Sequence, residues 1–107
     1  MKVLHLTLKK KWFDMILSGE KKEEYREIKP YWAARLSGKT FDAIRFTNGY
    51  GKDKPSLLIE WLDLWEGVYG SPAWGAPTRK PIYSISLGKI ISTRNIKEIS
   101  NANKKYS

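Results

Sequence analysis

The chain has 107 residues, with 20 Lys and Arg against 11 Asp and Glu for a formal net charge of +9, and it contains no cysteine. This length suits a single domain able to build a core without disulfides or a structural metal, while the lack of cysteine excludes thiol catalysis, a disulfide-linked partner and cysteine-ligated zinc or iron–sulfur centres. The lone His5 cannot make a histidine-rich metal site, so no metal and no cofactor is indicated; with no signal-peptide pattern and no membrane-length apolar run, a cytoplasmic protein is expected.

In chain order, Val3, Leu4, Leu6 and Leu8 with His5 and Thr7 interleaved read as a first strand, ended by Lys9, Lys10 and Lys11. Trp12, Phe13, Ile16 and Leu17 then fall along one side of a helix that Gly19 closes in a left-handed cap. Lys21 to Glu27 reads as a second strand, because Lys29 precedes Pro30 and is pushed out of the helical region. Pro30 opens a short helix carrying Trp32, Ala33 and Leu36 and stopped by Gly38. Phe41, Ala43, Ile44 and Phe46 form a strand whose partner follows the hairpin segment NGYGKDKP, where Asn48 and Gly49 are expected to take positive φ. Leu57 to Trp65 is a long strand. A glycine- and proline-punctuated loop carrying Tyr69 and Trp74 comes next, and Ile82 to Ile91 is a last strand bent at Gly88.

About five strands with two short inserted helices predict an α+β, mainly β, fold: a small, mostly antiparallel β-barrel, since closing the sheet removes exposed edges. Residues 1–92 form the single domain, and residues 93–107, rich in Asn, Lys and Ser, are expected as a basic, frayed tail.

The segment WFDMILSGEKKEEYREIKPYW, Trp12 to Trp32, resembles the signature of the ASCH family, the activating signal cointegrator homology domains: a helix, a glycine turn, a lysine, and a strand ending in an arginine. The resemblance continues through Phe41 to Phe46, the turn Asn48-Gly49-Tyr50-Gly51 and the ending Leu87-Gly88-Lys89-Ile90. It implies a PUA-like β-barrel whose cleft, between the first helix and the barrel, binds RNA or a modified nucleoside. Some bacterial members are amidohydrolases acting on N4-acetylcytidine, and others are linked to RNA cleavage. The chain is similar to the amidohydrolase members at Lys21 but has Glu24 where they carry a threonine. A carboxylate attacking an acyl group would make an anhydride, so their chemistry does not transfer unchanged.

The residues support a site in their own right. Gly19 permits a tight reversal that brings Lys21 to the mouth of the space between helix and strand. Period two then places Lys22, Glu24 and Arg26 on one strand face and Lys21, Glu23 and Tyr25 on the other. Arg26 offers a planar fork to a phosphate or base edge, with Glu24 accepting from an exocyclic amine or orienting Arg26. The plain alternative is an exposed Glu24–Arg26 pair worth under about 1 kcal/mol, with Lys21 snorkelling to water. Lys21 and Glu24 are also the catalytic candidates, since a lysine of lowered pKa beside a carboxylate could activate water.

Other ligand-binding candidates are the Lys9, Lys10 and Lys11 patch, Trp32 and Trp12 as stacking surfaces, and Tyr50 between glycines near Lys52 and Lys54. Glu60 is either a cleft base or a carboxylate paired with a lysine at the barrel end. Trp61, Trp65 and Trp74 are expected in the core or cleft wall, and His5 reads as structural. The leading expectation is an RNA- or nucleotide-binding module with RNA or a nucleotide-like small molecule as partner and no membrane association. The alternatives are a small hydrolase acting on a modified nucleoside or on RNA, and a protein-interaction adaptor using the aromatic loop from Glu66 to Pro81.

Overall fold

The alternation of Leu4, Leu6 and Leu8 with His5 and Thr7 produces strand β1 (Val3–Leu8), whose leucines are buried and whose His5 is exposed. Helix α1 (Lys10–Leu17) follows and buries Phe13 and Ile16. The computed structural model describes residues 1–96. After α1, Gly19 takes φ +87° and its N–H donates to the Ile16 carbonyl, and the Lys21 N–H then donates to the Met15 carbonyl at 2.9 Å. That reversal costs a glycine little because no Cβ has to be accommodated in the left-handed region.

Strand β2 (Glu23–Glu27) ends before Lys29, which is extended ahead of Pro30, and Pro30 opens helix α2 (Pro30–Leu36). Strands β3 (Ala43–Asn48) and β4 (Ser56–Val68) form the expected hairpin; positive φ falls on Gly49 and Gly51 and not on Asn48. A short 3-10 turn, Pro72–Trp74, lies in the loop before β5 (Ile82–Arg94). Since β5 runs through Arg94, residues 93 and 94 belong to the sheet, and the part of the expected tail from residue 97 lies outside the described residues.

All five strands join one mixed sheet in the order β1-β3-β4-β5-β2. The β1–β3 pair is parallel and the other three pairs are antiparallel. The main core gathers Leu6, Phe13, Leu36, Phe46, Leu57 and Ile85 between the sheet and the helices. A smaller cluster of Tyr25, Ala76 and Ile82, with Val68 and Trp74 against it, fastens the 66–81 loop to β2 and β5.

The expected closed barrel is not formed: β1 and β2 are the two edges, and no ladder joins them among the described residues. β2 has only five residues before Lys29 and Pro30, and proline lacks the N–H that further pairing would need. A side chain spans the gap instead, because Arg26 NH2 donates to the Thr7 carbonyl at 3.4 Å. None of the described helices is long and apolar enough to cross a membrane.

The bend expected at Gly88 is present as a break in the β4–β5 register, with Ile59 opposite Ile90 but Trp61 opposite Leu87. The extra residue leaves the Lys89 amide off the ladder, and Glu60 Oε1 accepts from it at 2.8 Å. A Cβ at Gly88 would sit 2.7 Å from that same oxygen, so the bulge needs glycine on one strand and the carboxylate on the other.

Candidate functional site

The reversal at Gly19 delivers Lys21 into the protein before β2 begins. Strand geometry starts only at Glu23, so the period-two assignment does not hold at Lys21: instead of facing away from Glu24, its ammonium lies 3.3 Å from Glu24 Oε1. The other Glu24 oxygen accepts from Arg26 NH2 at 2.6 Å. One carboxylate is thus held between two cations, and the side chains of Lys21 and Glu24 are only 1% and 6% exposed. The plain alternative of a solvated ion pair is thereby overturned: the Gly19 turn buries these charges.

Lys21 Nζ also donates to the Trp74 carbonyl and lies over the Tyr25 ring at 4.6 Å and the Trp12 ring at 5.3 Å. Burial pushes its pKa below the ordinary lysine value; the Glu24 carboxylate pulls it back up, and the Arg26 charge adds to the lowering. Tyr25 donates its hydroxyl proton to Glu23 Oε1 at 2.7 Å and accepts from the Ser71 N–H at 3.0 Å. Burial raises that phenol to about 12, opposed by the Ser71 hydrogen bond and reinforced by Glu23.

Arg26 is the member of the triad that reaches open space. Its guanidinium stacks 4.8 Å from the Trp32 ring centroid, and the residue lines a cleft of about 330 Å³ together with Tyr25, Glu27, Gly75, Lys80 and Ile82. Its Nε is buried without an acceptor. Within the cleft rim Glu27 pairs with Lys80 at 3.5 Å.

Of the residues singled out in the sequence, Lys21, Glu24, Arg26, Trp12 and Trp32 come together here. Lys11 lies 4.7 Å over the Trp12 ring, while Lys10 pairs with Asp14 along α1, so the Lys9–Lys11 patch borders this corner. Two candidates lie elsewhere. Glu60 Oε1 accepts from the Lys89 amide, so its carboxylate serves the bulge, and among the described residues it forms no ion pair with a lysine. Tyr50, 84% exposed, sits at the β3–β4 turn and touches none of the triad. Trp65, expected inside, is an exposed residue of β4, whereas Trp61 is buried as expected.

Trp74, expected in the core or cleft wall, packs against the Tyr25 cluster, while the cleft wall contributed by Gly75 and Lys80 went unread in the sequence. Its only signal was the run of glycines and prolines, which marks a loop without saying where the loop docks. The local reason for docking is contact: a Cβ at Gly75, which has φ +101°, would come 3.1 Å from the Trp12 ring, and one at Gly70 would come 2.6 Å from Tyr25. No family model, curated protein or solved structure matches the chain.

Proposed function

We propose that the chain is an ASCH-type, PUA-like module that binds RNA or a nucleotide through Arg26 in the cleft beside α1 and the 66–81 loop. The observation that carries this reading is the state of Arg26. Its guanidinium is oriented by Glu24 and Trp32 and keeps a buried Nε–H without an acceptor, and the residue is part of the wall of a cleft large enough for a nucleobase or phosphate. A guanidinium held in this way presents its donors with little further loss of freedom, which favours bidentate recognition of a phosphate or a base edge. Lys80 and the Lys9–Lys11 patch add a positive field around the entrance. The hydrogen bond from Arg26 to the Thr7 carbonyl, which links the two open edge strands, supports this reading.

The test is calorimetric titration with nucleoside monophosphates, cytidine and N4-acetylcytidine. Arg26→Ala is expected to weaken binding by about tenfold or more; equal binding by the variant, or none of these ligands binding the native chain, would overturn the reading.

A hydrolytic reading is favoured by a different observation, the lowered pKa of Lys21 and its 3.3 Å approach to Glu24. A neutral lysine so placed could take a proton from water attacking an amide of a modified nucleoside, with Glu24 holding the resulting ammonium. The Trp74 carbonyl now occupies the Lys21 ammonium, so the loop must lift for substrate to reach it. Formation of cytidine from N4-acetylcytidine by native protein, lost in Lys21→Met, is the expected result; no product at high protein concentration rejects it.

A further inference from the structure

A second group of cations lies on the outer face of the sheet, away from Glu24. Cross-strand register makes the placement explicit. His5 on β1 pairs with Arg45 on β3, Arg45 with Leu58 on β4, and Leu58 with Ser92 on β5. The neighbouring rung of Leu6, Phe46 and Leu57 is buried, so the Arg45 rung points outward. One step beyond, Ser56 pairs with Arg94, and Arg45 NH1 donates to Ser56 Oγ at 3.4 Å, which sets the two arginines side by side.

These arginines meet no carboxylate among the described residues. Among the described residues neither Arg45 nor Arg94 forms an ion pair, and the carboxylate further along β4, Glu60, is held by the Lys89 amide. Arg45 is half-buried, and both its burial and the Arg94 charge push its pKa down. Two like charges kept close without a counter-ion oppose folding unless an anion offsets them.

The same end of the sheet carries the β3–β4 turn, tied to β5 where Asn95 Nδ2 donates to the Lys54 carbonyl at 3.4 Å. Its Lys52 and Lys54 are exposed, as is Asp53 between them, and Tyr50 stands almost wholly in solvent with no side-chain partner among the described residues. A hydrophobe exposed to that extent at a turn does not serve the core. Beside cations it offers a π-face to an unpaired base. An acidic peptide would answer the charge but leave this face unused, whereas a nucleic acid strand supplies both phosphates and bases.

We propose that this outer sheet face is a second binding surface, separate from the Arg26 cleft, on which Arg45, Arg94, Lys52 and Lys54 contact the phosphodiester backbone of single-stranded nucleic acid and Tyr50 stacks on a base. It gives the molecule a way to hold a strand independently of whatever group enters the cleft.

The probe is a fluorescein-labelled oligouridylate followed by anisotropy at several salt concentrations, with anionic lipid vesicles and polyglutamate as competitors. The Arg45→Ala, Arg94→Ala double variant is expected to bind at least about tenfold more weakly and to lower the logarithmic salt slope by about two. Tyr50→Ala should weaken binding several-fold with the slope unchanged. Nucleoside monophosphate binding, tested by Arg26→Ala, should be untouched by the double variant, so the two surfaces fail or succeed separately. If the double variant loses its native circular dichroism, the Lys52→Gln, Lys54→Gln variant, altered only at exposed turn residues, is expected to give the same drop in slope. Undiminished oligouridylate binding by a folded variant, no binding by native protein, or equally effective competition by vesicles or polyglutamate would overturn the proposal.

Discussion

Glu24 is the residue on which the buried charges depend, because it accepts from Arg26 and lies against Lys21 while almost no water reaches it. Replacing Glu24 by Ala leaves two cations facing each other without their carboxylate, a change expected to cost about 3–5 kcal/mol. Lys21→Met removes the group that burial already disfavours as an ion and leaves the Glu24–Arg26 pair intact, so its cost should stay under about 2 kcal/mol. Urea unfolding of the two variants checks this order; similar losses would mean that Glu24 does not hold the triad. Tyr25 supplies a pH signature. Its phenol titrates at about 12 in the folded chain against 10.0 when unfolded, so the stability it contributes is complete below pH 10 and is lost as pH rises towards 12. Stability measured across that interval should fall more steeply for native protein than for Tyr25→Phe, and parallel curves would remove the assignment.

At the scale of elements, the 66–81 loop covers the corner at Lys21 and Tyr25. It is fastened by the Lys21 donation to the Trp74 carbonyl, the Ser71 N–H to Tyr25, and the stacking of backbone at Gly70 and Gly75 on aromatic rings. Gly70→Ala would force a Cβ to within 2.6 Å of the Tyr25 ring and 2.8 Å of Ala76 Cβ, neither of which is a flexible chain end. The loop should then lift: amide exchange at residues 69–76 is expected to accelerate while the β3–β4 hairpin exchanges as before. Unchanged exchange in the loop would show that the contact yields without opening it. Helix α1 and the Gly19 turn were legible in the sequence because a 3.6-residue apolar stripe and a following glycine are local signals. The burial of Lys21 was not, since it depends on the strand beginning two residues later than its alternating pattern suggested.

For the whole molecule, the formal net charge is +9, and among the described residues cations gather both at the border of the Arg26 cleft and on the outer sheet face near Arg45. Repulsion between unpaired cations opposes the compact state, so sodium chloride should raise the urea midpoint of native protein, by about 1 kcal/mol between low and moderate salt. A midpoint independent of salt would indicate that the cations are already balanced. At this scale the sequence pattern indicated five strands and two helices, whereas the parallel β1–β3 pairing and the open β1 and β2 edges emerged only on folding.

Hydrophobic periodicity, glycine turns and the proline at residue 30 determined the elements and the α+β, mainly β, class, because each is a property of neighbours within a few residues. The motif from Trp12 to Trp32, through its resemblance to the ASCH signature together with strand spacing, likewise brought Lys21, Glu24 and Arg26 into view. Tertiary structure alone decided that Lys21 and Glu24 are buried together against Arg26, that Trp74 covers Lys21 from 53 residues away, that Glu60 serves a bulge, and that Tyr50 stands exposed at the β3–β4 turn apart from the triad. The reason is the same in every case: desolvation and pairing depend on which distant backbone packs against a side chain, and local sequence patterns carry no record of that.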